Sequence, residues 1–231
     1  GASVKITNYG GIVTEILVPD KNGKLLNVTL GFDSFEDYCS DAYKKSKPYF
    51  GAIIGRFANR IARGRFEIDG KTYQVPCNLD DYSLHGGFNG FDQKVWKAKT
   101  DKSDNEVTLY LSYLSKHLEE GFPGNLQVFV TFSWNNDSEL SINYSATTDQ
   151  PTHINLTNHS YFNLAGKGKI LDHVLYINSS RYTPSDDELI PTGELANVEG
   201  TPFDFRKPTV IGDRIAEVGG DPVGYDHNYV I

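Results

Sequence analysis

The sequence predicts an all-β chain of antiparallel strands, and three observations carry that expectation. Short runs with period-two alternation recur along its length, turn signals separate them at close intervals, and helical periodicity is scarce. Strands at such spacing build a sandwich or a barrel.

The clearest runs lie mid-chain. Val107, Leu109, Leu111 and Tyr113 share one face of a strand; Leu126, Val128, Val130, Phe132 and Trp134 share a face of the next; Leu140, Ile142, Tyr144 and Ala146 follow. Phe66 and Ile68 are expected to pair with Tyr73 and Val75 across Asp69–Lys71 as a hairpin, and residues 173–177 read as a further strand. Turns are marked by Tyr9-Gly10-Gly11, Asp20–Gly23, Asp69-Gly70, His85–Gly90, Pro123-Gly124 and Asn135–Asp137. Only Ser34–Ser40, for one turn, and Val210–Val218, for a short helix, carry helical signals.

At 231 residues the chain can bury a sizeable core, and one domain over 1–231 is expected. A formal charge of −8 disfavours nucleic acid and anionic membranes as partners. No run of about 18 apolar residues or signal-peptide pattern is present, and Cys39 and Cys77 lack metal-site or redox spacing. A reducing, cytoplasmic setting fits, and the sequons at Asn27, Asn136, Asn143, Asn155, Asn158 and Asn178 are read as a product of composition. The chain has no Met, begins Gly-Ala and stops at Ile231 within a strand-like run, so it is expected to be part of a longer translated protein.

The stretch with most chemistry is Pro151–Gly166, PTHINLTNHSYFNLAG. Ile154 and Leu156 alternate with Asn155 and Thr157 as a strand with one apolar face. Asn158, His159, Ser160, Tyr161, Phe162 and Asn163 then follow without a break. So many polar groups cannot all enter a core. The run suits a sugar pocket, where hydroxyls need donors and acceptors, and His159 adds a proton donor near neutral pH.

This stretch resembles the signature of the aldose 1-epimerases, or galactose mutarotases. GRFANRI at Gly55–Ile61 resembles their arginine motif, and SLHGG at Ser83–Gly87 their first histidine motif. TPSDDELIPTG at Thr183–Gly193 and TPFDFRKP at Thr201–Pro208 resemble later turns, and GYDHNY at Gly224–Tyr229 the aspartate motif. The resemblance implies a large antiparallel twisted β-sandwich that lacks its C-terminal strands in this sequence. It implies interconversion of the α and β anomers of hexoses such as galactose and glucose by acid/base ring opening, with no metal and no cofactor. The partner is a small-molecule aldohexose and the state a monomer or weak dimer.

By the same resemblance His159 is the acid at the ring oxygen, His85 a second pocket histidine that helps there, and Asn59, Arg60, His85 and Asp226 bind sugar hydroxyls. His227, beside Asp226, is expected to point the other way. Arg56, Arg63 and Arg65 are read as solvated surface residues, and His153 as structural. The family's general base is a Glu well beyond GYDHNY, and no residue of this sequence matches it. Two other readings therefore stand beside the first: a non-catalytic carbohydrate-binding module, and a hexose-phosphate epimerase relative that would need several arginines converging on a phosphate.

Overall fold

The alternation of residues 107–146 becomes the largest sheet of the chain. Its four antiparallel strands run in the order Leu140–Thr148, Leu126–Asn135, Glu106–Ser115 and Lys97–Lys102. The register sets Leu111 opposite Val130, and Val130 opposite Tyr144. Leu126, Val128, Val130 and Phe132 are buried, whereas Phe129, one residue out of phase, is exposed. Val107 departs from the expectation: at the rim of the sheet, opposite Lys102 and Trp134, it too is exposed. The edge strand Lys97–Lys102 is exposed throughout, and its three lysines guard the open edge against further pairing.

A second antiparallel sheet orders Ser3–Ile6, Val13–Pro19 and Leu25–Asn27. Val13 and Ile16 of its central strand join Leu111, Leu126, Val128, Val130 and Phe132 of the first sheet in one buried cluster with Ile53, Phe91 and Trp96. Two sheets sharing one core make a β-sandwich. The hairpin closes as expected at Asp69-Gly70, both in the left-handed region, with Phe66 opposite Tyr73. Val75 lies past the end of its strand, and its N–H donates to the Gly64 carbonyl at 2.7 Å.

The segment 51–58 runs between two buried clusters. Ile53 enters the sandwich core. Ala52, Ile54 and Ala58 enter another with Ile12, Tyr38 and Tyr49. The expected turn at Ser34–Ser40 is the helix Phe35–Tyr38, capped by Ser34. A second helix, Asp41–Ser46, is capped by Ser40 and stopped at Lys47 with φ 42°. Six residues are too few to register a helical period in sequence, so this helix was not expected.

The computed structural model describes residues 1–220 and 222–231. They divide into two compact units, Gly1–Phe162, described so far, and Asn163–Ile231. In the second unit strands are two or three residues long: Arg181–Thr183 lies between Ala196–Asn197 and Asn228–Val230, and Val174–Leu175 pairs with Thr209–Val210. The helix expected at Val210–Val218 is instead two 3-10 turns, Ile211–Asp213 and Ile215–Glu217. The Ile211 and Gly212 N–H groups donate to the carbonyls of His173 and Leu171, at 2.9 and 2.8 Å, in place of continuing a helix.

Candidate active site

The polar run beginning at Asn155 is stitched to segment 51–58. The N–H of Asn155 donates to Arg56 O and that of Ala58 to Asn155 O, both at 2.9 Å. Farther on, the His159 N–H donates to Ala52 O at 2.9 Å and the Gly51 N–H to His159 O at 3.0 Å. Only Thr157–Asn158 forms a regular strand, against Ile53–Ile54. The expected apolar face holds for Leu156, which packs on the sandwich core, and fails for Ile154, which is exposed. Two asparagines of the run serve the backbone: Asn155 Nδ2 donates to Ala58 O at 3.2 Å and Asn158 Nδ2 to Gly51 O at 2.8 Å. Gly51 O accepts from the Val13 N–H as well, at 2.9 Å.

His85 follows the strand Tyr82–Leu84, which pairs with Arg60–Ala62. His85, Gly86 and Gly87 take φ values of 51°, 91° and 100° in succession. A Cβ on Gly86 would stand 1.8 Å from the Gly55 carbonyl oxygen, so the backbone can approach that closely only at glycine. Asn59 is left-handed too, and it grips the histidine twice: its N–H donates to His85 Nδ1 at 2.9 Å, and its carbonyl accepts from the His85 N–H at 3.1 Å. An Nδ1 that accepts a hydrogen bond places the ring proton on Nε2. Burial pushes the imidazole pKa down to about 3, helped by the neighbouring His159 and Arg60, so His85 is neutral near pH 7 and donates through Nε2–H.

The two halves meet at the rings. His85 and His159 lie 5.1 Å apart, centroid to centroid, at 82°. Tyr49 packs against both, at 4.8 and 5.7 Å, and Tyr161 lies 5.1 Å from His159. Asn59 and Arg60 belong to the same neighbourhood. Arg60 Nη1 donates to Asn59 Oδ1 at 3.2 Å, its guanidinium lies over the Tyr82 ring at 5.3 Å, and its Nε is buried with no hydrogen-bond partner among the described residues. Four of the five sequence-derived site residues thus come together in the first unit. Tyr49 was not anticipated, since nothing in the local pattern of KPYFG marks it.

Arg56 corrects the sequence reading. It is 2% exposed, not a solvated surface residue. Its guanidinium donates to Ser115 Oγ and to the carbonyls of Phe122, Pro123, Ser115, Lys116 and Gly124, at 2.7 to 3.5 Å. Glu119 lies nearby, bonded to Tyr113, Ser115 and Lys94. Arg63 and Arg65 are exposed as expected. With Arg56 committed to carbonyls, the arginines of this region do not converge on a phosphate-sized site.

Asp226 lies in the second unit and is exposed, with its N–H donating to His227 Nδ1 at 3.2 Å. His227 turns into an aromatic cluster, 4.3 Å from Phe203 and 5.7 Å from Tyr182. The neighbouring motif residues have structural work: the Tyr229 and Tyr225 hydroxyls donate to Phe203 O and Pro202 O at 3.0 and 3.3 Å, tying GYDHNY to TPFDFRKP. Asp204 and Arg206 form a two-bond pair, at 2.8 and 2.7 Å. In TPSDDELIPTG, Asp186 Oδ1 accepts from the N–H groups of Glu188 and Ile190.

The aldose 1-epimerase family profile matches residues 1–231, the whole sequence. The chain belongs to the aldose 1-epimerase family. It is 45% identical over 231 residues to the galactose mutarotase of Rattus norvegicus, covering 99% of this chain and 64% of that protein. To the aldose 1-epimerase of Escherichia coli K12 it is 36% identical, covering 100% of this chain and 65% of the relative. This family member therefore spans a little under two thirds of the length of these curated relatives. Among solved structures, galactose 1-epimerase from Lactobacillus acidophilus superposes with a TM-score of 0.87 at 30% identity, over 100% of this chain and 67% of that one. An aldose epimerase homologue from C. elegans gives 0.82 at 32% identity, over 91% and 62%.

Proposed function

We propose that the chain acts as an aldose 1-epimerase, exchanging the α and β anomers of a free aldohexose such as galactose or glucose. The observation that carries this reading is the His85–His159 pair, at 5.1 Å, with one imidazole kept neutral by burial and fixed as its Nε2–H tautomer by the Asn59 N–H. Anomer exchange needs a base to take the proton from the anomeric hydroxyl while an acid delivers one to the ring oxygen as the C1–O bond breaks, the two exchanging roles when the ring closes on the other face; the acid is the role assigned here. Two adjacent imidazoles are not readily protonated together. Because His85 stays neutral, the proton that moves is assigned to His159, while His85 Nε2–H holds an oxygen of the sugar. Asn59 and Arg60 are assigned to sugar hydroxyls beside them, the buried Arg60 Nε being a donor with no acceptor among the described residues. Asp226 is assigned to hydroxyls on its motif alone. The two free cysteines agree with a reducing, cytoplasmic setting.

Polarimetric decay of fresh α-galactose tests the proposal. The 231-residue chain is expected to accelerate the decay, and His159→Ala to lower the rate about 100-fold or more, the usual scale of a lost acid–base group. A folded chain that binds galactose in calorimetry and leaves the spontaneous rate unchanged would overturn catalysis in favour of a binding module.

A further inference from the structure

We propose that Asn78 is a positioning residue that aims His85 at the sugar. The proposal rests on the reading of His85 as a pocket histidine. Three consecutive left-handed residues, 85–87, form a turn with little intrinsic preference for one geometry, because glycine at two of the positions opens many alternatives. The turn must be held from outside if the imidazole is to keep one direction.

The Asn78 side chain reaches both ends of it. Oδ1 accepts from the Leu84 N–H at 2.7 Å, and Nδ2 donates to Leu84 O and to Gly87 O, both at 3.0 Å. These bonds bracket His85 and Gly86. One side chain thereby fixes the backbone that carries the imidazole, on both sides of it. Farther along, Phe88 is pinned by other groups, its N–H by Glu120 and its carbonyl by Lys47 and Gln93. Among the described residues, Asn78 is the side chain bonded on both sides of the histidine.

Asn78→Ala removes all three backbone bonds. Asn78→Asp keeps the acceptor for Leu84 N–H but sets a carboxylate against two carbonyl oxygens. The readout is the imidazole itself, by nitrogen NMR of histidine-labelled protein. In the natural chain His85 is expected to show a single neutral Nε2–H form from pH 5 to 8. In both variants, Asp more than Ala, its signals should average between tautomers or begin to titrate, and galactose turnover should fall about 10- to 100-fold. A folded Asn78→Ala chain with unchanged His85 signals would overturn the proposal. If neither variant folds, the natural chain still decides: its Asn78 Nδ2 protons must exchange slowly with solvent, and rapid exchange overturns the assignment. Because the imidazole signals need no turnover, a chain that fails to epimerise would sink the catalytic reading while leaving this one tested.

Discussion

The first unit, Gly1–Phe162, and the second, Asn163–Ile231, are built on different principles. The first has strands of up to ten residues, and its two buried clusters draw on both sheets and on segment 51–58. The second has strands of two or three residues, a few buried side chains such as Val198 and Phe205, and exposed apolar ones at Leu164, Val174, Tyr176 and Val223. In place of long ladders it relies on side-chain ties: Tyr229 and Tyr225 to the 201–206 turn, Arg214 to Thr201 and Asp204, and Ser179 to Val230. Long ladders gain stability from cooperative burial. Short bridges lean on individual polar contacts, each contributing about 1 kcal/mol net.

Two arginines test that contrast most strongly. Arg56 in the first unit is enclosed and saturates a ring of carbonyls, whereas Arg206 in the second pairs with Asp204 in solvent. Arg56→Leu strands those carbonyls and is expected to cost about 4–5 kcal/mol in urea unfolding. Arg206→Ala should leave the midpoint close to that of the natural chain, as exposed pairs do. Equal losses at the two sites would erase the distinction.

The next test asks whether the units unfold separately. Phe205 is 1% exposed, with Tyr225 at 5.2 Å and the Arg214 guanidinium over its ring at 5.4 Å. Phe205→Ala should cost about 3–4 kcal/mol. Hydrogen exchange is expected to show protection lost in residues 163–231 and kept in the strands Glu106–Ser115 and Leu126–Asn135. Uniform loss across both would make them one cooperative body.

A smaller change than that of Phe205→Ala is expected within the first unit, where two buried groups bend the pH dependence in opposite senses. Burial pushes the Asp92 carboxyl up to about 6, and its Oδ1 has no hydrogen-bond partner among the described residues. A carboxyl raised in the folded state adds stability that is fully present below its unfolded value, near 4, and lost as pH rises through about 6. His85, lowered to about 3, does the reverse: the unfolded chain takes up its proton below about 6.5, so folding weakens as pH falls from there. Asp92→Asn should therefore stabilise the chain by about 2–3 kcal/mol at pH 8 and by almost nothing at pH 4, read as the difference in unfolding free energy between the two pH values. An equal gain at both would show that ionisation of Asp92 is not the cause.

The same contrast explains what could be read in advance. Strands 107–113, 126–134 and 140–146 were legible because one face turns toward the core over many residues, which imprints period two on the sequence. Val174–Leu175 and the two 3-10 turns at 211–217 were not, because two or three residues leave no period and their partners lie far along the chain. At the site, His85 and His159 stood out as motif residues. Arg56 misled: an arginine beside the Asn59–Arg60 pair reads as a solvated surface residue, and only the carbonyls of residues 115–124, brought beside it by folding, make its burial affordable.

By itself, then, the sequence determined an antiparallel β chain, its family, and a set of polar residues suited to a sugar. Alternation and ordered motifs are local properties, and they survive in the linear order of residues. Tertiary structure decided which nitrogen of His85 carries its proton, that Tyr49 packs on both histidines, and that Asn78 spans the turn between Leu84 and Gly87. Those facts depend on groups brought together from separate stretches of the chain. The donor at His85 Nδ1 and the solvent excluded around the ring come into being only when the chain closes on itself.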